Sequence, residues 1–167
     1  GNIIDNPAEL KQFLSDFSKI DGYKVLVHGG GKSATKMAQS IGLVPQMIDG
    51  RRITDAAMLE VVVMIYAGQI NKDIVAQLQA NNTNAVGFSG ADGNLIQSTK
   101  RNHPTIDYGF VGDVQKVNTT LLETLISNGI VPVFCAITHD KKGQLLNTNA
   151  DTIASELAIA LSEVFDV

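Results

Sequence analysis

The fold is decided by the stretch Tyr23-Lys24-Val25-Leu26-Val27-His28-Gly29-Gly30-Gly31-Lys32-Ser33, where an apolar run is followed by three consecutive glycines. The run from residue 23 to residue 27 predicts a strand that is buried on both faces, as in a parallel sheet covered by helices. Apolar residues then recur at helical spacing and predict a helix that Gly42 closes: Ala34, Met37, Ala38 and Ile41. The stretch therefore predicts a strand, a glycine loop and a helix.

The glycine loop is suited to binding an anion. Residues without a Cβ atom let a phosphate or carboxylate approach the main chain, where N–H groups and the positive end of the helix face it. A tight turn that needs positive φ angles would use the same residues. A Walker A loop is excluded, because it requires a glycine five positions before Gly31, where Leu26 stands. A dinucleotide-binding fingerprint, G-x-G-x-x-A, fits Gly29 to Ala34 with Asp49 as the ribose-binding acid, and this alternative stays open.

Composition limits the classes of protein to which the chain can belong. Its 167 residues, 44% of them hydrophobic, can bury one core, so we expect one domain or one lobe of a larger protein. The net charge is −4 and no basic stripe carries interleaved aromatic residues, which argues against a nucleic-acid partner. No apolar stretch reaches membrane-spanning length, so no membrane partner is predicted. Cys135 is the only cysteine and lies in an apolar run, which predicts a buried thiol and a reducing, cytoplasmic setting.

The first half of the chain predicts three further helices. Asn6-Pro7-Ala8-Glu9 combines a capping residue, a proline at the first helical position and a glutamate at the third. Thr54 or Asp55 can cap the next helix, in which Val61 to Tyr66 are apolar without interruption, so that this helix is apolar on every face. Gly68 is predicted to break the pattern before another helix through residues 70–78.

The second half predicts more strands than helices. Strands are expected at residues 85–88 and 130–137, and a β-hairpin lying off the main sheet is expected within residues 94–117. Asn118 is expected to cap a helix between these segments. Pro132 predicts that the strand at 130–137 is an edge strand or carries a bulge, because proline has no N–H group to donate.

A second polar cluster, Asn147-Thr148-Asn149-Ala150-Asp151, precedes a helix with an apolar stripe. Helix capping by Asn149 or Asp151 explains one of its polar side chains. Side chains two residues apart in an extended chain point the same way, so Asn147, Asn149 and Asp151 can line one site at the carboxyl end of a strand. The histidines show no metal-ligand spacing, so no metal ligand is predicted, and His28 is placed either to orient the loop backbone or to react.

Five motifs, in order along nearly the whole chain, resemble the acetylglutamate kinase branch of the amino acid kinase family. They are Val27-His28-Gly29-Gly30-Gly31, Gly50-Arg51-Arg52-Ile53-Thr54-Asp55, Gly68-Gln69-Ile70-Asn71-Lys72, Gly87-Phe88-Ser89-Gly90-Ala91-Asp92-Gly93 and Asn147-Thr148-Asn149-Ala150-Asp151. The resemblance implies an α/β fold, a three-layer αβα sandwich with a mainly parallel open sheet. It also implies that residues 1–167 are the N-terminal lobe, which binds an acylamino acid and forms a homodimer or a higher homo-oligomer, whereas the first strand and the C-terminal ATP-binding lobe lie outside this chain.

The same resemblance implies an activity and assigns the glycines to it. The activity is phosphorylation of the γ-carboxylate of an N-acyl-L-glutamate, with N-acetyl-L-glutamate as the main candidate, by ATP and Mg²⁺ in arginine biosynthesis. Gly30 and Gly31 would donate main-chain N–H groups to the γ-carboxylate and the incoming phosphoryl group. Gly1 and Gly31 would contact the nucleotide, and Gly1 resembles the second glycine of a Lys-x-Gly-Gly turn whose lysine is not in this chain.

The resemblance also assigns the polar side chains. Arg52 would hold the α-carboxylate, for which the planar fork of a guanidinium is the fitting partner. Asn147 would fix the amide of the acylated amine, with Asn149 also at the substrate, and Asp151 would orient the catalytic lysines. A γ-carboxylate has a reference pKa of about 4.3, so the nucleophile is ionised at neutral pH and needs no general base. A non-catalytic acylamino-acid-binding lobe remains the other alternative.

Overall fold

The computed structural model describes residues 3–48 and 50–166. Its strands are β1 (Leu26–His28), β2 (Met47–Ile48), β3 (Arg51–Arg52), β4 (Ala85–Phe88), β5 (Ile96–Lys100), β6 (Gly112–Val117), β7 (Val131–Cys135), β8 (Ile137–His139) and β9 (Leu145–Asn147). Its α-helices are α1 (Pro7–Ser18), α2 (Gly31–Ser40), α3 (Ala56–Val63), α4 (Asn71–Ala80), α5 (Thr119–Ser127) and α6 (Ala150–Leu161). Short 3₁₀ turns lie at Ile3–Asp5 and Asp92–Asn94, and a π-helical segment, Met64–Ile70, joins α3 to α4.

A parallel sheet lies at the centre of the fold, as predicted. Strand β7 lies between β1 and β4 and pairs with both in parallel. All five residues of β7 are buried, so both of its faces are covered. Helices α4 and α5 contact β7, and α6 contacts β1. Helices around a parallel sheet confirm the α/β fold class.

Strand β1 is shorter than predicted and begins three residues later. Before β1, Nζ of Lys24 donates to three carbonyl oxygens at the end of α1 and just after it, those of Phe17, Ser18 and Ile20, at 2.7 to 3.1 Å. These bonds tie the chain before β1 to the end of α1 rather than to the sheet.

The prediction that Pro132 marks an edge strand or a bulge is wrong, because β7 is the central strand. On the β4 side, Pro132 is opposite Val86. On the other side, β1 pairs with β7 only from Val133 onward, where Leu26 is its partner. A proline is compatible with this position because β1 does not extend as far as Pro132. The missing N–H group of Pro132 therefore leaves no carbonyl oxygen of β1 without a hydrogen bond.

A mixed four-stranded sheet in the order β6-β5-β8-β9 lies beside the parallel one. The predicted hairpin is present, since β5 and β6 are antiparallel, but β5 also pairs in parallel with β8. The run predicted as one strand at 130–137 is divided at Ala136, which separates β7 from β8. The carbonyl oxygen of Ala136 instead accepts a hydrogen bond from the N–H of Thr148, 3.0 Å away. This bond brings the end of β9 to the end of β7.

Gly68 does not break the helix as predicted. The chain is helical without interruption from Ala56 to Ala80, and Gly68 lies within its π-helical segment. Ile65, Tyr66 and Ile70 in this segment are buried, so tertiary packing overrides the low helix propensity of glycine. A π-helical turn within an α-helix is frequently found at functional sites.

The predicted caps of α1 and α3 form side-chain hydrogen bonds, and the predicted cap of α5 does not. Asn6 caps α1, accepting from the N–H groups of Ala8 and Glu9, and Asp55 caps α3. Asn118 occupies the N-cap position of α5 without a side-chain capping bond. Cys135 is buried as predicted, and burial raises the pKa of its thiol to about 12. In the part of the chain that the structure describes, no helix has both the length and the apolar character needed to cross a bilayer.

Candidate functional site

A cavity of about 420 Å³ lies where β1 and β7 end. Its polar wall consists of the glycine loop, β3 and the segment after β9. Its apolar wall includes Leu10, Leu14, Leu26, Tyr66 and Ile74. Six of the predicted site residues line this one cavity: Gly30, Gly31, Arg52, Asn147, Asn149 and Asp151. Gly1, the predicted nucleotide contact, and Asp49, the acid of the dinucleotide fingerprint, lie outside the described residues.

Gly30 is held where only glycine fits. Its φ is +155°, and a Cβ atom on it would overlap Cδ1 of Ile70 and stand 3.0 Å from the ring of Tyr66. It occupies the N-cap position of α2, and its carbonyl oxygen accepts the first helical hydrogen bond from Ala34. Gly30 has no side chain with which to cap the helix, so no cap side chain competes with an anion for the start of α2.

Helix α6 also begins at the cavity. An added Cβ on Gly29 would lie 3.8 Å from Cβ of Ala150, the first residue of α6. The positive ends of α2 and α6 are therefore close together at the glycine loop. Two helix N-termini at one cavity favour a negatively charged ligand.

Arg52 lies in the wall of the cavity and is 8% exposed. Its Nη2 donates to the carbonyl oxygen of Gly31 at 2.8 Å and to Oγ1 of Thr35 at 2.9 Å. Arg52 forms no ion pair with any Asp or Glu of residues 3–48 and 50–166. A buried guanidinium without a carboxylate partner in the described chain is suited to bind the carboxylate of a ligand.

The segment from Asn147 to Asp151 does not stay extended as predicted. Asn147 ends β9, is buried, and donates from Nδ2 to Oγ1 of Thr54 at 3.0 Å. Asn149 is exposed and caps α6, since its Oδ1 accepts from the N–H of Thr152 at 3.0 Å. Asp151 is exposed in the first turn of α6. The chain turns helical at Ala150 because Asn149 takes the capping role, yet all three side chains still line the cavity.

Sequence reasoning missed Tyr66. Its ring packs on Gly30 and it is 5% exposed in the cavity wall. Burial raises the pKa of its hydroxyl, and the adjacent Arg52 acts in the opposite direction. The sequence carried one signal for a role of Tyr66: it is the only aromatic residue in the apolar run from Val61 to Tyr66.

His28, at the end of β1, contacts the glycine loop directly and also lines the cavity. It is 4% exposed, and its Nδ1 lies 2.8 Å from the carbonyl oxygen of Gly29. Burial lowers the pKa of the imidazole to about 4. The contact with Gly29 agrees with one of the two roles predicted for His28, orientation of the loop backbone. Among the described residues, no group of three or more His, Cys, Asp and Glu side chains is arranged to hold a metal ion.

Known proteins resemble this chain along nearly all of its length. A protein from Phocaeicola vulgatus named acetylglutamate kinase is 58% identical over all 167 residues, which span 65% of that relative's length. A solved structure, smu.665 from Streptococcus mutans, aligns with a TM-score of 0.78 and 25% identity over 97% of this chain and 62% of that one. The N-acetylglutamate synthase of Neisseria gonorrhoeae, solved with coenzyme A and N-acetyl-glutamate, shares the fold with a TM-score of 0.76 and 21% identity over 97% of this chain and 37% of that one.

A model of the amino acid kinase family matches residues 1–163. This match covers the glycine loop, the Arg52 segment and the polar residues that precede α6, all of which line the cavity. The chain belongs to the amino acid kinase family.

Proposed function

We propose that the chain is the acceptor-binding lobe of an ATP-dependent kinase that phosphorylates the γ-carboxylate of an N-acyl-L-glutamate, with N-acetyl-L-glutamate as the first candidate. The observation that carries the proposal is that two features for binding anions share one cavity. They are Arg52, which has no carboxylate partner among the described residues, and the start of α2, which no side chain caps. An N-acylglutamate carries two carboxylates, and relatives named acetylglutamate kinase support this substrate and a role in arginine biosynthesis.

The chemistry needs positioning more than a general base. A γ-carboxylate with a pKa of about 4.3 is ionised at neutral pH and can attack directly. The N–H groups of Gly30 and Gly31 would donate to the γ-carboxylate and to the phosphoryl group as charge develops, assisted by the positive ends of α2 and α6. The geometry agrees with a site that acts through main-chain N–H groups and helix ends.

The side chains around the loop would bind the rest of the acceptor. Arg52 would hold the α-carboxylate while its Nη2 keeps the bonds to Gly31 and Thr35. Asn147 would fix the acylated amide. Asn149 uses its Oδ1 in capping, so its Nδ2 would be the atom that donates to the substrate. Asp151 would orient catalytic lysines.

The described residues supply only part of the contacts that ATP and Mg²⁺ would need. ATP would supply the γ-phosphoryl group, and Gly31 at the start of α2 is the described residue placed to meet it; Gly1 is the second proposed contact. No cluster of three metal-ligating side chains occurs in residues 3–48 and 50–166. Mg²⁺ would therefore be held mainly through the phosphates of the nucleotide, as is usual for this ion.

We also propose a cytoplasmic homodimer or higher homo-oligomer. Most of the helix that was predicted to be apolar on every face is covered within its own chain, since Val61, Val62 and Ile65 are buried. Met64 is 57% exposed, however, and helix α2, which packs against α3, exposes Met37 by 40% and is followed by Ile41, exposed by 58%. An apolar surface of this kind is suited to contact with a second copy.

The test is a phosphoryl-transfer assay with the full-length protein, ATP and Mg²⁺. N-acetyl-L-glutamate, N-succinyl-L-glutamate and free L-glutamate are compared, and the acyl phosphate formed is trapped with hydroxylamine. We expect turnover with an N-acylated glutamate and little with the free amino acid. Activity with free glutamate alone would reject the substrate class. Tight binding of NAD without phosphoryl transfer would favour a dinucleotide-binding domain, and acylglutamate binding without transfer would favour a non-catalytic lobe.

A further inference from the structure

A buried polar network lies behind the glycine loop, and the proposed binding residues do not use it. Its centre is Asn71, the first residue of α4, which is 1% exposed. Asn71 Nδ2 lies 3.0 Å from His28 Nε2 and 2.9 Å from the carbonyl oxygen of Val133 in β7. Asn71 Oδ1 lies 3.0 Å from Nζ of Lys72. One side chain therefore joins the end of β1, the central strand and the helix.

The surroundings of Asn71 leave one orientation for its amide. A backbone carbonyl can only accept, so the NH₂ group must face Val133. A lysine ammonium can only donate, so the amide oxygen must face Lys72. The opposite orientation would place two acceptors together at Val133 and two donors together at Lys72. The amide group therefore presents an N–H donor to His28.

This donor determines the tautomer of His28. Nε2 must accept from Asn71, so the proton of a neutral imidazole resides on Nδ1. That proton is donated to the carbonyl oxygen of Gly29 over 2.8 Å. The low pKa that burial gives His28 keeps the ring neutral at pH 7. The loop carbonyl is thus held by a ring whose orientation is set from its far side.

The helix before Asn71 supports the same loop. Tyr66 and Ile70, in the π-helical segment, pack where a Cβ of Gly30 would lie. Since Asn71 directly follows this segment, one stretch of helix contacts Gly30 through its apolar side chains and Gly29 through His28. The loop is constrained from two directions by residues 66–71.

We propose that Asn71 is a positioning residue that acts through His28: it holds the Nδ1–H tautomer, which fixes the Gly29 carbonyl and so directs the N–H groups of Gly30 and Gly31 into the cavity. This inference rests on the proposed function of the glycine loop. Asn71 itself touches neither substrate nor nucleotide. Removing the Asn71 side chain should therefore weaken acceptor binding only through its effect on His28.

The first test reads the tautomer directly in the ligand-free, full-length protein. Nitrogen-15 NMR of the histidine side chains at pH 7 should show His28 protonated at Nδ1 and unprotonated at Nε2. An Nε2–H tautomer or an imidazolium at pH 7 would overturn the proposal, whatever the protein catalyses. This measurement needs no variant and does not depend on the proposed substrate.

The second test compares two amide variants of His28. In His28→Asn the amide nitrogen can replace Nδ1 and keep the bond to Gly29, whereas in His28→Gln it can replace only Nε2. We expect His28→Asn to bind N-acetyl-L-glutamate within about twofold of the wild type, and His28→Gln to bind it roughly fivefold more weakly, as for one lost hydrogen bond. Equal affinities for the two variants would reject positioning through Gly29, since a general structural role would not separate them.

A double-mutant cycle tests the link from Asn71 to His28. Asn71→Ala should weaken N-acetyl-L-glutamate binding roughly fivefold in the wild type and have little effect in His28→Asn, where the contact is already absent. Equal losses in both backgrounds would overturn the link. Asn128→Ala, which removes a surface hydrogen bond to the carbonyl of Thr124, is the matched control and should change neither binding nor tautomer. A wild type that does not bind N-acetyl-L-glutamate would instead reject the proposed function, and this role with it.

Discussion

Replacing Gly87 with alanine is expected to destabilise the chain, because the new methyl group has no room. Gly87 lies in β4, and a Cβ built on it would overlap Oδ1 of Asn71 and stand 2.9 Å from its Cγ. Nζ of Lys72 would be 2.8 Å away. Its φ is not positive, so the backbone can accept alanine and the effect is steric. The side chain of Asn71 must move for the methyl group to fit.

The magnitude follows from the bonds that Asn71 would lose. Its hydrogen bonds to His28 and to the carbonyl of Val133 are each worth about 1 kcal/mol, and a buried partner left unpaired costs about 1–3 kcal/mol. Crowding a packed region adds about 1–3 kcal/mol. Alanine lowers the conformational entropy of the unfolded chain, which offsets about 0.4–1 kcal/mol of this loss in stability. Since Asn71 can keep part of its network by a small shift, we expect a net loss of about 2–4 kcal/mol in the free energy of unfolding.

Urea unfolding, followed by circular dichroism, measures this change. Gly68→Ala is the matched control, because it adds the same methyl group in the helix between Ala56 and Ala80, where nothing lies within 4 Å of the new atom. Alanine is the better helix former, so Gly68→Ala should stabilise the chain by up to about 1 kcal/mol. A Gly87→Ala chain as stable as the wild type would refute the steric argument, and so would an equal loss in both variants.

Three further predictions concern binding, assembly and pH. Arg52→Ala in the full-length protein should weaken N-acetyl-L-glutamate binding by about 2–5 kcal/mol, as for a lost charge-assisted pair, and leave ATP affinity nearly unchanged in calorimetry; an unchanged acceptor affinity removes Arg52 from the site. Met64→Asp should give monomers in sedimentation at micromolar concentration, and a wild type that is already monomeric there would contradict the dimer. Since the pKa of His28 falls from 6.5 to about 4 on folding, its neutral form contributes stability above pH 6.5 that is lost as the pH falls toward 4. This pH slope should be smaller in His28→Asn, measured by urea unfolding across that range, and an identical slope would show that His28 does not titrate as described.

Signals carried by neighbouring residues were sufficient for much of the fold. The glycine loop between β1 and α2, the cap at Asn6 and the hairpin of β5 and β6 all follow from residues within a few positions of each other. Such features depend on local φ/ψ preferences and on hydrogen bonds between near neighbours, which the sequence itself specifies. The positions of Arg52 and Asn147 in one cavity with this loop were predictable only through the ordered motifs that resemble the amino acid kinase family.

Tertiary structure alone decided the features that depend on contacts between distant parts of the chain. Ala136 divides one apolar run between two sheets because its carbonyl bonds to Thr148, and Gly68 remains helical because its neighbours are buried. The hydrogen bond from Asn71 to His28 joins residues 43 positions apart, and that from Asn147 to Thr54 spans 93 positions. No periodicity or local propensity specifies such pairs, because each partner is chosen by the packing of whole strands and helices. The sequence by itself determined that a glycine loop opens α2, and only the assembled sheets and helices determined which side chains hold that loop in place.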